Sequence, residues 1–466
     1  MEHPWIPNSN PRIKEEMLKV IGVDGPDALY SDIPKQVLLS AEAWNSLGIG
    51  FGRPLSEVEV TRKVREMLSR NAELKAPPFM GGGLWPHYVP PAVDELARRG
   101  EFLTAYTPYQ AEISQGLLQA LFEYQSLMAD LLEMDVVNAS MYDWPSALGE
   151  AALMSVRVKG VKRVLVPLTI NPFHLGALTV YTRPQGIKVD KYKVDMKTGY
   201  ADLEDLKEKV SSEKASAVYL EYPATFTGVV DVNAKAIGEI AHDHGALFVM
   251  GVNPMALAIY KPPGQLGADI AVGEGQPLGL GLYHGGATLG IFGVRWDAEL
   301  IRQMPGRLIG MTTTKDGAKR AFAMILQTRE QHIRRSKATS NITTNAALNA
   351  IRAAIYLSLV GPKGLREVAE AIWYRSHYAA RELSKILGVK APAMDGEFFG
   401  DFIAEVPGSY EAAFVKALKR GVAAGIPLSK YVEWAKESWG LLSFTEVHSK
   451  EDIDLLVGIL KEVTSQ

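Results

Sequence analysis

Asp269-Ile-Ala-Val-Gly-Glu-Gly-Gln-Pro-Leu-Gly279 is the stretch on which the fold turns. Residues 269–272 form a short apolar strand, and a polar, glycine-rich turn follows. Upstream lie repeated strand-then-helix units of the kind that build a mostly parallel sheet. Strands are expected at 163–167, 217–222, 246–252, 269–272 and 289–294, and helices at 203–210 and 234–244. These apolar runs do not alternate with polar residues, so the strands should be buried on both faces with helices on each side. In such α/β sheets ligands bind beyond the carboxyl ends of the strands, so the turn at 273–279 should open onto a pocket.

With 466 residues, 47% of them hydrophobic and 22% charged, the chain can bury one large core and a second, smaller one. A formal net charge of −3 gives no electrostatic reason to expect nucleic acid. There is no cysteine, which removes disulfides, cysteine metal ligands, iron–sulfur clusters and thiol nucleophiles together. That composition suits a reducing, cytoplasmic setting. Met1-Glu-His-Pro-Trp-Ile-Pro7 has no basic region leading into an apolar run, so it does not read as a secretory signal. No window approaches the roughly 18 apolar residues of a membrane span. A soluble, intracellular globular protein is the expectation.

Outward from the strand, the chain divides into three parts. Residues 1–70 read as an arm, broken by prolines into short helices at 12–21 and 56–71, with a capping box in Ser56-Glu-Val-Glu59. Residues 71–345 hold the large sheet domain. Residues 346–466 form a smaller C-terminal α/β unit with helices at 363–387, 410–420 and 450–464 and strands at 398–406 and 440–446. A helix over 346–360 leads into this unit, and Gly361-Pro362 terminates it.

Several stretches invite a functional reading. Phe79-Met-Gly-Gly-Gly-Leu-Trp85 would bring backbone close to whatever faces it, unless it is a surface loop. Thr104-Ala-Tyr-Thr-Pro-Tyr-Gln-Ala-Glu-Ile-Ser-Gln-Gly116 crowds hydroxyls, amides and a carboxylate onto a non-helical segment, as a pocket wall or a solvated loop would. The helix starting at Ser146 offers a positive dipole end, yet Pro145 has no N–H and Trp144 is bulky where a phosphate cradle needs glycine. His242-Asp-His244 does not put both imidazoles on one helix face, so no metal is expected there. The basic run Arg329–Lys337 reads as a solvated or subunit-contacting face. Lys261, Lys315 and Lys337 are the lysines considered for an imine. Lys261 precedes Pro-Pro and Lys315 precedes Asp-Gly, flanks without the apolar surroundings that make an ammonium nucleophilic.

Six strings together are specific: Thr104-Ala-Tyr-Thr-Pro-Tyr-Gln110, Glu112-Ile-Ser-Gln-Gly116, Gly273-Glu-Gly-Gln-Pro-Leu-Gly279, Met304-Pro-Gly-Arg307, Gln331-His-Ile-Arg-Arg335 and Lys337-Ala-Thr-Ser-Asn341. With Ile6-Pro-Asn8 and Gly425-Ile-Pro-Leu428, they resemble subunit 1 of the two-subunit glycine decarboxylases, the P-proteins of the glycine cleavage system, over essentially the whole chain. The resemblance implies a PLP-dependent transferase fold of the aspartate-aminotransferase type (fold type I). It also implies a division of labour, with pyridoxal phosphate in subunit 2 and none in this chain. The ring-stacking position of the catalytic sister falls at Leu148, its pyridine-pairing aspartate at Met250 and its Schiff-base lysine at Pro277. Apolar groups there cannot hold a protonated pyridine ring or form an imine.

The same resemblance implies partners: subunit 2 in an α2β2 assembly and a lipoyl-bearing H-protein that takes the aminomethyl group. No catalytic or metal-binding residue is assigned to the isolated chain. Tyr106, Thr107, Tyr109, Gln110, Glu112, Ser114 and Gln115 are the residues expected to wall the partner's pocket in trans. Two departures from subunit 1 stand out: Trp144-Pro145 where small residues are usual, and His284-Gly-Gly286 in place of Phe-Gly-Gly. The competing readings are a scaffold or regulatory partner, and a self-sufficient PLP enzyme using another lysine.

Overall fold

A computed structural model describes the chain except for residues 1, 2, 4, 51, 52, 106, 107, 287, 341, 343–345, 465 and 466. Two compact units form, Met1–Ala72 and Glu73–Gln466, so the expected large and small domains lie within one unit.

The first unit carries helices Pro11–Ile21, Ala41–Ser46 and Glu57–Leu68. The Asn10 side chain caps the first, and Ser56 and Glu59 close a reciprocal capping box on the third. Arg53 reinforces that box by pairing with Glu59. None of the described side chains of this unit is buried.

The second unit is built on a seven-stranded sheet. In chain order its strands are β1 (Val136–Val137), β2 (Arg163–Pro167), β3 (Lys188–Tyr192), β4 (Ala217–Tyr222), β5 (Leu247–Val252), β6 (Ile270–Glu274) and β7 (Gly290–Val294). In space the order is β1-β7-β6-β5-β4-β2-β3. The run from β3 to β6 is parallel, and β7 turns back antiparallel to both β6 and β1. Every residue of β5 is buried, as its unbroken apolar run predicts. Successive side chains face opposite layers. Leu247 and Val249 join the core of helices Trp144–Lys159 and Pro172–Thr182, while Phe248, Met250 and Val252 join that of helices Gln115–Leu132, Ala234–Asp243 and Ala347–Leu383.

Four more elements differ from expectation. Edge strand β3 has a mixed polar pattern and escapes an apolar-run search. The hairpin of β8 (Leu308–Thr313) and β9 (Arg320–Ile325) is largely exposed. Two glutamines of helix Gln115–Leu132 clamp it in the manner of a neighbouring strand. Gln125 bonds both ways with the Ile309 backbone (3.0 and 2.9 Å), and Gln115 does so with Phe322 (both 2.9 Å). The two expected helices around Gly361 meet end to end in Ala347–Leu383, broken only where Gly361 takes φ 62° and ψ −179°. The first run packs on the main sheet through Ala350 and Ile351, the second on the smaller core through Ala379 and Leu383. That core backs an antiparallel sheet of β10 (Asp401–Glu405), β11 (Ile426–Pro427) and β12 (Trp439–Ser443) with helices Tyr410–Leu418 and Lys450–Thr464. Among the described residues no helix is long and apolar enough to cross a membrane.

Candidate functional site

A cavity of about 430 Å³ opens where the parallel strands end, as the topology predicts, with Gly81 to Gly83, Asp143, Trp144, Asn171, His174 and Glu274 in its lining. Its lining comes from the triple-glycine loop, the start of helix Trp144–Lys159, the segment that follows β2, and the end of β6 with the loop leading to β7.

The glycine loop is held from several sides. The Trp85 backbone N–H donates to Gln276 Oε1 (3.1 Å), and Gln276 Nε2 donates to the carbonyls of Trp85 and Leu280 (both 3.0 Å). The Trp85 indole N–H lies 2.9 and 3.1 Å from the two Asp401 carboxyl oxygens. Burial pushes that carboxyl up to about 6. Gly81 approaches so closely that a Cβ would stand 2.0 Å from Ser443 Oγ, which explains why no larger residue fits there. Asn171 Nδ2 donates to the Gly82 carbonyl (2.9 Å) and to Thr225 Oγ1 (3.0 Å).

Glu221 ends the apolar run of β4 and is fully enclosed, so it must be paired. His174 Nδ1 donates to it at 2.8 Å, and the Thr225 N–H and hydroxyl donate at 3.1 and 2.9 Å. The His174 ring lies 4.8 Å from the Trp144 ring, whose N–H donates to the Tyr219 hydroxyl (2.9 Å). Gly251 makes room for the indole, because a Cβ there would come within 2.6 Å of it. Glu274 accepts the backbone N–H groups of Gln276 and Leu289 (both 3.0 Å) and, more distantly, Trp144 (3.4 Å). Burial outweighs those donors and pushes the Glu274 carboxyl up to about 8.

The start of helix Trp144–Lys159 is already satisfied. Trp144 N–H faces Glu274, Pro145 has none, and Ser146 N–H donates to Asp143 (2.7 Å). Among the described residues no lysine or arginine lines the cavity, whereas Asp143 and Glu274 do. This lining does not suit pyridoxal phosphate, which needs an imine-forming amine and anion-binding donors.

The three positions implied by the family resemblance are not brought together. Leu148 lies in the core on one face of the sheet and Met250 in the core on the other. Pro277 is buried in the turn after β6. None of the three lines the cavity. Tyr106 and Thr107 lie outside the described residues. Tyr109 is 47% exposed, its hydroxyl accepts from Arg307 (2.9 Å), and its ring meets His332 edge-on at 5.2 Å. Gln110 and Glu112 are exposed, Ser114 is half-buried, and the Gln115 amide is committed to Phe322. Tyr109 to Gln115 therefore stand away from this chain's own cavity.

Lys261, Lys315 and Lys337 are all exposed. His242 pairs with Asp269 (2.8 Å), whereas His244 contacts Ser211 (2.9 Å), so the two histidines diverge. Arg329 is buried against the carbonyls of Met304 and Gly306, a structural use that the sequence does not reveal. The His174–Glu221 pair was also missed; its one signal is a carboxylate closing an otherwise apolar strand.

Comparison with known proteins agrees with this architecture. The family model for the glycine cleavage system P-protein matches residues 3–460. A protein of Aeropyrum pernix named as a probable glycine dehydrogenase (decarboxylating) subunit 1 is 60% identical over 464 residues, 99% of each chain. A crystal structure of glycine decarboxylase (P-protein) in inhibitor-bound form superposes with a TM-score of 0.83 at 37% identity, covering 99% of this chain and 100% of that one. A cysteine desulfurase of Thermococcus onnurineus shares the fold alone, with a TM-score of 0.62 at 17% identity over 88% of this chain and 99% of that one. Built on the fold of PLP-dependent fold type I enzymes, the chain belongs to the glycine cleavage system P-protein family, among its glycine dehydrogenase (decarboxylating) subunit 1 members.

Proposed function

We propose that this chain is the subunit of glycine decarboxylase that carries no pyridoxal phosphate and works only with a second, homologous subunit that does. The carrying observation is the cavity at the carboxyl edge of the sheet, which among the described residues has no lysine or arginine in its lining, two carboxyl-bearing residues, Asp143 and Glu274, and a helix start whose first N–H groups are already taken. The cofactor, bound in the partner, supplies the electron sink that decarboxylation of glycine requires. This chain's part is to complete the partner's pocket, with residues 106–115 as its wall, and to help present that pocket to the lipoyl arm of H-protein. The half-exposed Tyr109, oriented by the buried Arg307, fits such a role. Isolated, the chain should be inactive. Its setting is the cytoplasm, in an α2β2 assembly.

Borohydride reduction of the full chain in the presence of pyridoxal phosphate, followed by mass mapping, tests this reading. No pyridoxyl-lysine should form, while the partner subunit treated alongside should carry one. A stoichiometric adduct on Lys261, Lys315 or Lys337 would restore the self-sufficient enzyme. Exposure of all three argues against it, since none has the apolar surroundings that activate an imine-forming lysine.

A further inference from the structure

We propose that the cavity of this subunit is a binding site for a small primary alkylammonium ion that bears no carboxylate. His174 is only 3% exposed, and its Nδ1 is held by Glu221 at 2.8 Å. With the Glu221 carboxyl as acceptor, Nδ1 is the donor, and Nε2 is the ring nitrogen left to the cavity, the acceptor of an imidazole so held. Nε2 has no hydrogen-bond partner among the described residues. It faces the cavity on the Gly83 side, where a Cβ on that glycine would stand 3.9 Å away.

The rest of the lining asks for the same kind of ligand. Asp143 accepts both Ser146 bonds through Oδ1, which leaves Oδ2 for a donor. Glu274 also lines the cavity, with its oxygens taken by the N–H groups of Gln276, Leu289 and Trp144. Donors are scarce by comparison: Asn171 already gives its amide hydrogens to Gly82 and Thr225. An ammonium group, three donors and no acceptor, complements that set. An anion would meet Asp143 at the cavity wall, with Glu221 behind the imidazole. Among the described residues no group of three or more histidines and carboxylates is placed to hold a metal ion. Leu84 and Phe173 leave apolar wall for a short alkyl chain. An ammonium without a carboxylate is the charge type that decarboxylation of an amino acid leaves behind. The site would therefore accept product-like amines and reject the zwitterionic amino acid.

This inference rests on the reading that the cavity holds no pyridoxal phosphate. Calorimetric titration of the full chain, alone and in complex with its partner subunit, with n-butylammonium, n-butanol, butyrate and glycine tests it. Butylammonium should bind saturably at one site per chain, butanol at least ~10-fold more weakly, and butyrate and glycine not at all. Asp143→Asn keeps the Oδ1 cap on Ser146 and removes the charge, so it should weaken butylammonium at least ~10-fold with little change in melting temperature. Absence of saturable ammonium binding, equal binding of butanol, binding of butyrate or glycine, or an Asn variant with full affinity would each overturn the site. If that variant fails to fold, the four ligands on the unaltered chain decide the matter. Borohydride mapping of the same sample separates the two readings. A pyridoxyl-lysine overturns the cofactor-free reading, whereas lost ammonium binding without an adduct overturns this inference alone.

Discussion

Glu274 shows how a single buried carboxyl ties the site to stability. Its folded pKa, about 8, lies above that of an unfolded glutamate, so between those values the folded state keeps a proton that the unfolded state has lost. Stability must fall as pH rises through that window, by at most about 1.4 kcal/mol per pH unit from this group. Asp401, pushed up to about 6, acts in the same direction but only at lower pH. Glu274→Gln retains an oxygen for the N–H groups of Gln276 and Leu289 and removes the titration. Between pH 6 and pH 8.5 the unaltered chain should lose on the order of 2–3 kcal/mol relative to the variant in urea unfolding. Parallel curves would show that Glu274 is already ionised at pH 6. Tyr109 carries a second residue-level prediction. Tyr109→Phe removes the acceptor for Arg307 on a half-exposed ring, so stability should drop by no more than about 1 kcal/mol. If the hydroxyl serves the partner's pocket, glycine–bicarbonate exchange by the assembled complex should fall ~10-fold, one transition-state hydrogen bond's worth. Exchange that merely tracks the stability loss would make Tyr109 a packing residue.

At the level of elements, legibility in the sequence followed burial. The central strands β2, β4, β5, β6 and β7 were readable because parallel strands covered on both faces must be apolar throughout. Edge strand β3 was not, since Lys188 and Lys191 face solvent and break the pattern. Nor was the β8–β9 hairpin, whose exposed half, Thr312 to Arg320, reads as a loop. At the site, Gly81-Gly-Gly83 announced close backbone approach, but the partners of that loop, Gln276 and Asp401, lie 191 and 316 residues from Trp85 and leave no local trace. Gln115 shows the limit in another form: nothing local in the sequence reveals that both ends of its amide are engaged by the Phe322 backbone. The hairpin depends on such clamps, which supply a prediction of their own. Gln125→Ala would leave the buried Ile309 N–H and carbonyl without their partner, a cost of about 2–4 kcal/mol. Hydrogen exchange should quicken across residues 308–325 and remain slow in β4 and β5. Uniform acceleration across the sheet would mean that the hairpin is not a separate cooperative element.

At the scale of the whole molecule, the first unit poses the main physical problem. Its three helices carry apolar residues at helical spacing, such as Ile13, Met17, Val20 and Ile21 and, further on, Val60, Val64, Met67 and Leu68, and all of these are exposed. Trp5 and Val20 stand 87% and 89% exposed. A unit of 72 residues in which none of the described side chains is buried has little to set against the conformational entropy of its own ordering, about 1–2 kcal/mol per residue for the backbone alone. Exposed apolar area on this scale marks a surface that another chain covers, and obligate interfaces bury on the order of 2,000 Å² or more. The "subunit 1" in the name of the Aeropyrum pernix relative implies a partner subunit. We therefore expect the full chain, purified alone, to self-associate or to show fast exchange throughout residues 1–72. Co-expressed with its homologous partner, it should run as a single species by light scattering, with those residues strongly protected. Replacing Val60, Val64 and Met67 together by serine should leave the melting of residues 73–466 unchanged and weaken assembly at least ~100-fold, about 2.7 kcal/mol. The serine variant assembling at full affinity, or a monomer whose first 72 residues are already protected, would show that the unit is ordered by something other than a partner chain.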